Sequence, residues 1–392
     1  MLKWVQSGLS AVAGTAEPEY GREAIYTVID SINQEHLPVF RETTIEDFNW
    51  QSPNYTNVET QTFYFTDLSK GHTGFAQVIH SNVMGVHTTA QFTFRLFNTK
   101  DEKEVIWSST KLDNFEYKGS NFYADNLSIE FISDSEVEIK SSVNPESIVD
   151  FKITRAVPGV IFGKDGSTLY GEDKENPWGS MRHLFWPRSN VVGTVKSSSE
   201  DTEQVLYDIN GYSMFVMALQ GMKPHHAAKA WNFMNFHSSN YSAVTMEFTT
   251  PPSYANTKVN IGIISSKDKI LFATVGNHVI HKDSEVDEIG WSVPKSIEFN
   301  YVESNEEDED EDEDIVASVK GNLSTLVERV DVMAEIPQFV KNIVSGVAGT
   351  KPYIYQYCNE FDITVKESKI HSIENDVTES GIGFTEVTFI SE

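Results

Sequence analysis

The sequence predicts an all-β protein built as two antiparallel domains in tandem. Short runs with a period of two fill residues 58–155, and turn signals separate them. The same texture returns over 190–390. Phe, Tyr and Trp make up 12% of the chain, a content that favours strands and broad apolar surfaces. A length of 392 residues is long for one domain and comfortable for two.

Charge and cysteine content narrow the function classes. The formal charge of −28 argues against a nucleic-acid partner, because phosphate binding needs a basic surface. Removing the nine acidic residues of the run 306–314 from −28 still leaves −19, so the acidity is general and serves solubility. Cys358 is the single cysteine, which allows no disulfide within the chain and fits a reducing compartment. It reads as a small core residue of the run YIYQYCNEF.

Residues 1–14, MLKWVQSGLSAVAG, form an amphipathic helix on a 100° wheel. Met1, Leu2, Val5, Leu9 and Val12 share one face, and Trp4 lies at its edge. Gln6, Ser7, Gly8 and Ser10 interrupt any signal-peptide core, so secretion is not expected. A helix this short needs a surface to dock on. That surface is either the body of the protein or a membrane, with Trp4 at headgroup level. The membrane-binding set is then Met1, Leu2, Trp4, Val5, Leu9 and Val12. We delimit this helix as residues 1–17.

In the first domain, 18–187, Ala90, Phe92, Phe94 and Leu96 alternate with Gln91, Thr93 and Arg95, as one face of a strand does. Leu127, Ile129 and Phe131 repeat the pattern. Such strands suit a sandwich or a barrel. An aromatic knot of Trp178, Phe185 and Trp186 ends in Pro187, which we take as the domain boundary. The second domain, 188–392, contains an acidic loop at 303–314. Ile315, Val319, Leu323, Leu326, Val327, Val330 and Met333 are spaced for a helix over about 315–335.

The densest run of methionine, aromatic and histidine residues is 213–237, SMFVMALQGMKPHHAAKAWNFMNFH. It reads either as ordinary core or as the wall of an apolar ligand cavity. The candidate lipid contacts are Met217, Met222, His225, His226, Trp231, Phe233, Met234, Phe236 and His237. No HExxH, paired-Cys, GxGxxG, P-loop or GxSxG pattern occurs. No metal, cofactor or catalytic residue is therefore assigned.

Six blocks resemble one family. They are MLKWVQSGLSAVAGTAEPEYG at the start, NVETQTFYFTDL at 57–68, GFAQVIHSNVMG at 74–85, NFYADNLS at 121–128, WGSMRHLFWPR at 178–188 and MKPHHAAKAWNFMNFHS at 222–238. Together they resemble the fungal survival factor 1 (Svf1) proteins. The resemblance implies two lipocalin-like antiparallel β-barrel domains. It also implies a cytoplasmic and nuclear protein, peripheral on Golgi and endoplasmic reticulum membranes, linked to sphingolipid metabolism and to survival under oxidative and cold stress. Its partner is expected to be ceramide or a related sphingolipid, carried without vesicles by a monomer. Two other readings stay open. One is a stress-signalling interaction module. The other is a hydratase- or cyclase-type enzyme, with His225, His226, Tyr212 or Glu247 as acid/base candidates.

Overall fold

A computed structural model describes residues 20–83, 85, 87–101, 103–198, 204–222, 224–303, 315–335, 351–366, 369–370 and 375–391. The N-terminal helix and the acidic run lie outside the described residues.

The first sheet is antiparallel and curls round one core. In spatial order its main strands are Val105–Lys111, His87–Asn98, His72–Val83, Asn57–Asp67, Val205–Gln220, Gly179–Ser197, Ile148–Arg155, Glu136–Ser141, Leu127–Ser133, Asn121–Ala124 and Glu116–Lys118. The predicted alternation holds: Ala90, Phe92, Phe94 and Leu96 all point into the core. Their opposite neighbours Thr93 and Arg95 are buried as well, because the second domain covers part of the sheet's outer face.

The second sheet runs Ile270–Thr274, Lys258–Ser265, Ser242–Thr249, Ala230–His237, Val377–Phe389, Tyr353–Val365, Ile315–Asn322, Ser296–Val302 and His278–Lys282. Its core contains Met234, Phe236, Ile264, Phe299, Tyr301, Tyr357 and Phe361.

Two expectations are corrected. Pro187 is not a boundary but lies within the long strand Gly179–Ser197, where the register against Val205–Gln220 shifts between Trp186 and Ser189. A bulge tolerates a residue with no N–H, so the strand continues through the proline. Val205–Gln220 then pairs with Asn57–Asp67 in the first sheet. The first barrel therefore extends to Gln220, and the crossing to the second lies between residues 220 and 230.

The helix expected over 315–335 is instead the strands Ile315–Asn322 and Leu326–Asp331, followed by the short helix Val332–Glu335. Ile315, Val319 and Leu323 are four apart, a spacing that shares one face in a helix and in a strand alike. The β-branched Ile315, Val316 and Val319, with the open edge of Tyr353–Val365 beside them, favour the strand.

The outer face of the first sheet packs on the outer face of the second through one continuous apolar layer. Tyr64, Phe75 and Phe97 meet Phe233 and Phe384, with the rings of Tyr64 and Phe233 5.3 Å apart and those of Tyr64 and Phe384 5.4 Å apart. The helix Val28–Glu35, started by a Thr27–Asp30 capping box, adds Val28 and Ile32 to this layer. Polar pins flank it. Tyr170 donates to the carbonyl of Ala227 at 2.7 Å. Arg188 donates to Ser242 Oγ at 2.7 Å and to the carbonyls of Ser238 and Ser239. The backbone N–H groups of Tyr20 and Gly21 both reach the carbonyl of Ser253, which seats the start of the described chain on the second domain.

Candidate functional site

An apolar ligand needs apolar space that the protein's own side chains leave open. The first barrel does not offer it. Phe63 and Phe215 stack at 4.4 Å, Phe48 and Phe131 close on Trp186, and Phe65, Phe94 and Phe151 fill the other end. All are fully or almost fully buried. A small barrel filled in this way is a packed core.

The second barrel is also filled by aromatic and aliphatic residues, with a polar group at one end. There Asn232 donates from Nδ2 to Glu247 Oε1 at 3.2 Å, which turns its Oδ1 toward His281 Nε2 at 2.7 Å. The proton of His281 therefore sits on Nε2. Burial, and then Lys258, push the His281 pKa down to about 4, so the ring is neutral at pH 7. Burial raises the Glu247 carboxyl above its ordinary value, although Lys258 and Asn232 oppose it.

Open apolar space lies between the barrels. A cleft of about 350 Å³ is lined by Pro38, Val39 and Phe40 from the first domain and by Ile270, Leu271, Phe272 and Ala273 from the second. Several side chains of the inter-barrel layer are only half-buried, including Trp231, Met246 and Ile382. Glu386 points into this layer from the same face as Phe384. It accepts a hydrogen bond from Gln356 Nε2 at 2.8 Å and another from the Trp231 indole. Burial holds its pKa up at about 7 against those two donors.

The candidate residues from 213–237 do not line one space. Met217 points into the first barrel. Met222, Trp231 and Phe233 lie in the inter-barrel layer. Met234 and Phe236 point into the second barrel. His237 is buried, with Nδ1 2.6 Å from Ser242 Oγ, and burial and then Arg188 hold it well below its usual pKa. His226 is half-buried, its ring edge-on to Trp178 at 5.7 Å. The side chain of His225 lies outside the described side chains, as do Met1, Leu2, Trp4, Val5, Leu9 and Val12. Strand alternation explains the split, since neighbouring residues leave a strand on opposite faces.

Sequence reasoning missed Tyr64, Phe75, Phe384, Glu386 and the cleft residues. The one available signal was Glu386 itself, the lone acid in the otherwise uncharged run GIGFTEVTFI. Cys358 also belongs to the inter-barrel layer, where burial pushes its thiol far above the ordinary range. Among the described residues, no group of three His, Cys, Asp or Glu side chains is placed to hold a metal ion.

Two filled antiparallel barrels joined by a partly open apolar layer define a tandem lipocalin-like protein. Solved structures support that class at the level of fold. CghA with Sch210972 superposes with a TM-score of 0.60 at 10% identity, covering 90% of this chain and 99% of its own. Kievitone hydratase from Nectria haematococca gives 0.53 at 13%, covering 89% and 93%. The model of the Svf1 family matches residues 2–391, and the chain belongs to that family. It is 63% identical over 394 residues to the ceramide-binding protein SVF1 of Debaryomyces hansenii and 61% identical to that of Candida albicans, with full coverage of both chains in each case. The ceramide-binding protein of Emericella nidulans is 44% identical, again over the full length of both chains.

Proposed function

We propose that this protein binds ceramide, or a related sphingolipid, in the layer between its two barrels. It carries that lipid between endoplasmic reticulum and Golgi membranes without vesicles. The observation behind the proposal is that both barrels are filled by their own side chains, while half-buried apolar side chains and an open cleft remain between them. The names of the relatives point to the same ligand. The cleft is at the small end of the range for ligand pockets, about 300–1,000 Å³. A two-chain lipid is larger, so loading requires the layer to open. Trp231, Met246 and Ile382 are among the half-buried side chains of that layer.

Each acyl CH₂ moved into apolar surroundings regains about 0.8 kcal/mol, which offsets the loss of bilayer contact. The helix of Met1, Leu2, Trp4, Val5, Leu9 and Val12 docks the carrier on the membrane. The protein works as a monomer in cytoplasm and nucleus, bound peripherally to those membranes, and its sphingolipid traffic supports survival under oxidative stress. It acts by binding and not by turnover.

Native mass spectrometry of the full chain purified from a eukaryotic host tests the reading. One ceramide or similar lipid per chain is expected. A chain that stays empty after incubation with ceramide-loaded liposomes defeats it. The His281–Asn232–Glu247 chain favours a second reading, an enzyme acting on an apolar substrate. Turnover of a sphingolipid or isoprenoid substrate that Glu247→Gln abolishes would establish it.

A further inference from the structure

Glu386 is an acid in an apolar layer. Its neighbours are Phe233, Phe384 and Tyr64, and its hydrogen-bond partners are the neutral groups of Gln356 and Trp231. Among the described residues, no lysine, arginine or histidine pairs with it. Across the strands from Glu386, beyond Gln356, lies Glu328, whose cation is Arg95 of the first sheet; Arg95 also donates to the carbonyl of Val327 at 2.8 Å and lies over Trp107 at 4.9 Å. The other ionisable groups of the layer include the phenols of Tyr64, Tyr170 and Tyr254 and the Cys358 thiol; burial keeps Tyr64, Tyr170 and Cys358 neutral.

A buried carboxylate is costly unless a cation and further hydrogen bonds compensate it. Glu386 has the hydrogen bonds and lacks the cation. It is half-buried and not fully enclosed, so part of its surface stays accessible. Beside it stand the half-buried Trp231, whose indole donates to it, and Tyr64, whose phenol feels its charge. An aromatic wall beside a carboxylate suits an ammonium group, which gains ion pairing and cation–π attraction together.

We propose that Glu386 is the counter-ion for a second class of ligand, a single-chain amphiphile with a protonated primary amine. The ammonium pairs with the Glu386 carboxylate against Trp231 and Tyr64, and the alkyl chain lies in the inter-barrel layer. This rests on the inter-barrel layer being the ligand site and does not require ceramide as a ligand.

Calorimetric titration of the full chain with dodecylamine and with 1-dodecanol, both below their aggregation concentrations, tests it. Wild type should bind the amine roughly 10- to 100-fold more tightly than the alcohol, as one charge-assisted contact allows. Glu386→Gln, which keeps the shape, should abolish that preference and leave alcohol binding unchanged. Amine affinity in wild type should rise between pH 6 and pH 8 as the carboxylate ionises. Equal affinity for amine and alcohol in wild type overturns the proposal, as does an amine preference that survives Glu386→Gln. Should Glu386→Gln fail to fold, Glu386→Asp keeps the charge and shifts it by one methylene; an amine affinity identical to wild type at every pH would then count against it. Amine binding without ceramide binding would defeat the ceramide reading alone. Binding of neither class would defeat both.

Discussion

The interior of the first barrel and the layer between the barrels use the same residue types, yet they are packed to different ends. Inside the barrel, Phe63, Phe65, Phe94, Phe151, Trp186 and Phe215 interlock with no accessible surface to speak of. Between the barrels, Phe233 and Phe384 are just as buried, but Trp231, Met246 and Ile382 are not, and a carboxyl and a guanidinium share the space. Aromatic richness therefore does not tell a closed core from a partly open layer. A barrel interior is closed by its own strands, whereas two independently curled surfaces meet imperfectly and leave gaps.

The comparison is broken most directly by truncation. Phe215→Ala removes a ring stacked at 4.4 Å on Phe63 and should cost about 3–5 kcal/mol in urea unfolding. If the barrel interior were a ligand cavity, the loss would be far smaller and ligand would restore it.

Next in size is the pH dependence from Glu386. Its pKa rises from an ordinary 4.5 to about 7 on folding, so between these values the folded chain holds a proton that the unfolded chain has lost. The associated stability is fully present below pH 4.5 and is lost as pH rises through 7. About 2–3 kcal/mol is expected from this group between pH 4.5 and pH 8. Unfolding curves of Glu386→Gln should lack that fall, with other groups contributing alike to both proteins.

Arg95→Met tests whether the barrels are held by their polar pin or by apolar contact. It removes the ion pair to Glu328 and the bond to Val327, and should cost about 1–2 kcal/mol. A much larger loss, measured by thermal unfolding, would make the pin the dominant link.

The smallest effect sharpens the contrast. Trp231→Phe should cost about 1 kcal/mol, because the half-buried ring is largely replaced and only the indole donor to Glu386 is lost, while lowering lipid retention in a liposome transfer assay. Unchanged retention would remove Trp231 from the ligand wall.

Much of the fold was legible along the chain. Alternation at Ala90, Phe92, Phe94 and Leu96 announces an inward face, and the observed core agrees. The misread elements were those whose local pattern is degenerate. A four-residue spacing at Ile315, Val319 and Leu323 fits helix and strand equally, and only the neighbouring strand Tyr353–Val365 decides between them. Pro187 has the look of a terminator until its partner strand is known to carry a register shift there. The candidate site was less legible. Stretch 213–237 drew attention for its composition, but it spans the crossing from one barrel to the next and serves three different cores.

By itself, then, the sequence determined the strand content, the inward faces and the two-barrel plan, because a period of two is a local property that needs no partner. Only the tertiary structure decided what the outward faces do. Tyr64, Phe75 and Arg95 are outward residues of the first barrel, and they become buried because a second curled sheet lies on them. Glu386 is an unremarkable strand acid until Gln356, Trp231 and Tyr64 gather beside it and take it partly out of water. Desolvation arises from distant segments meeting, and no local pattern encodes it.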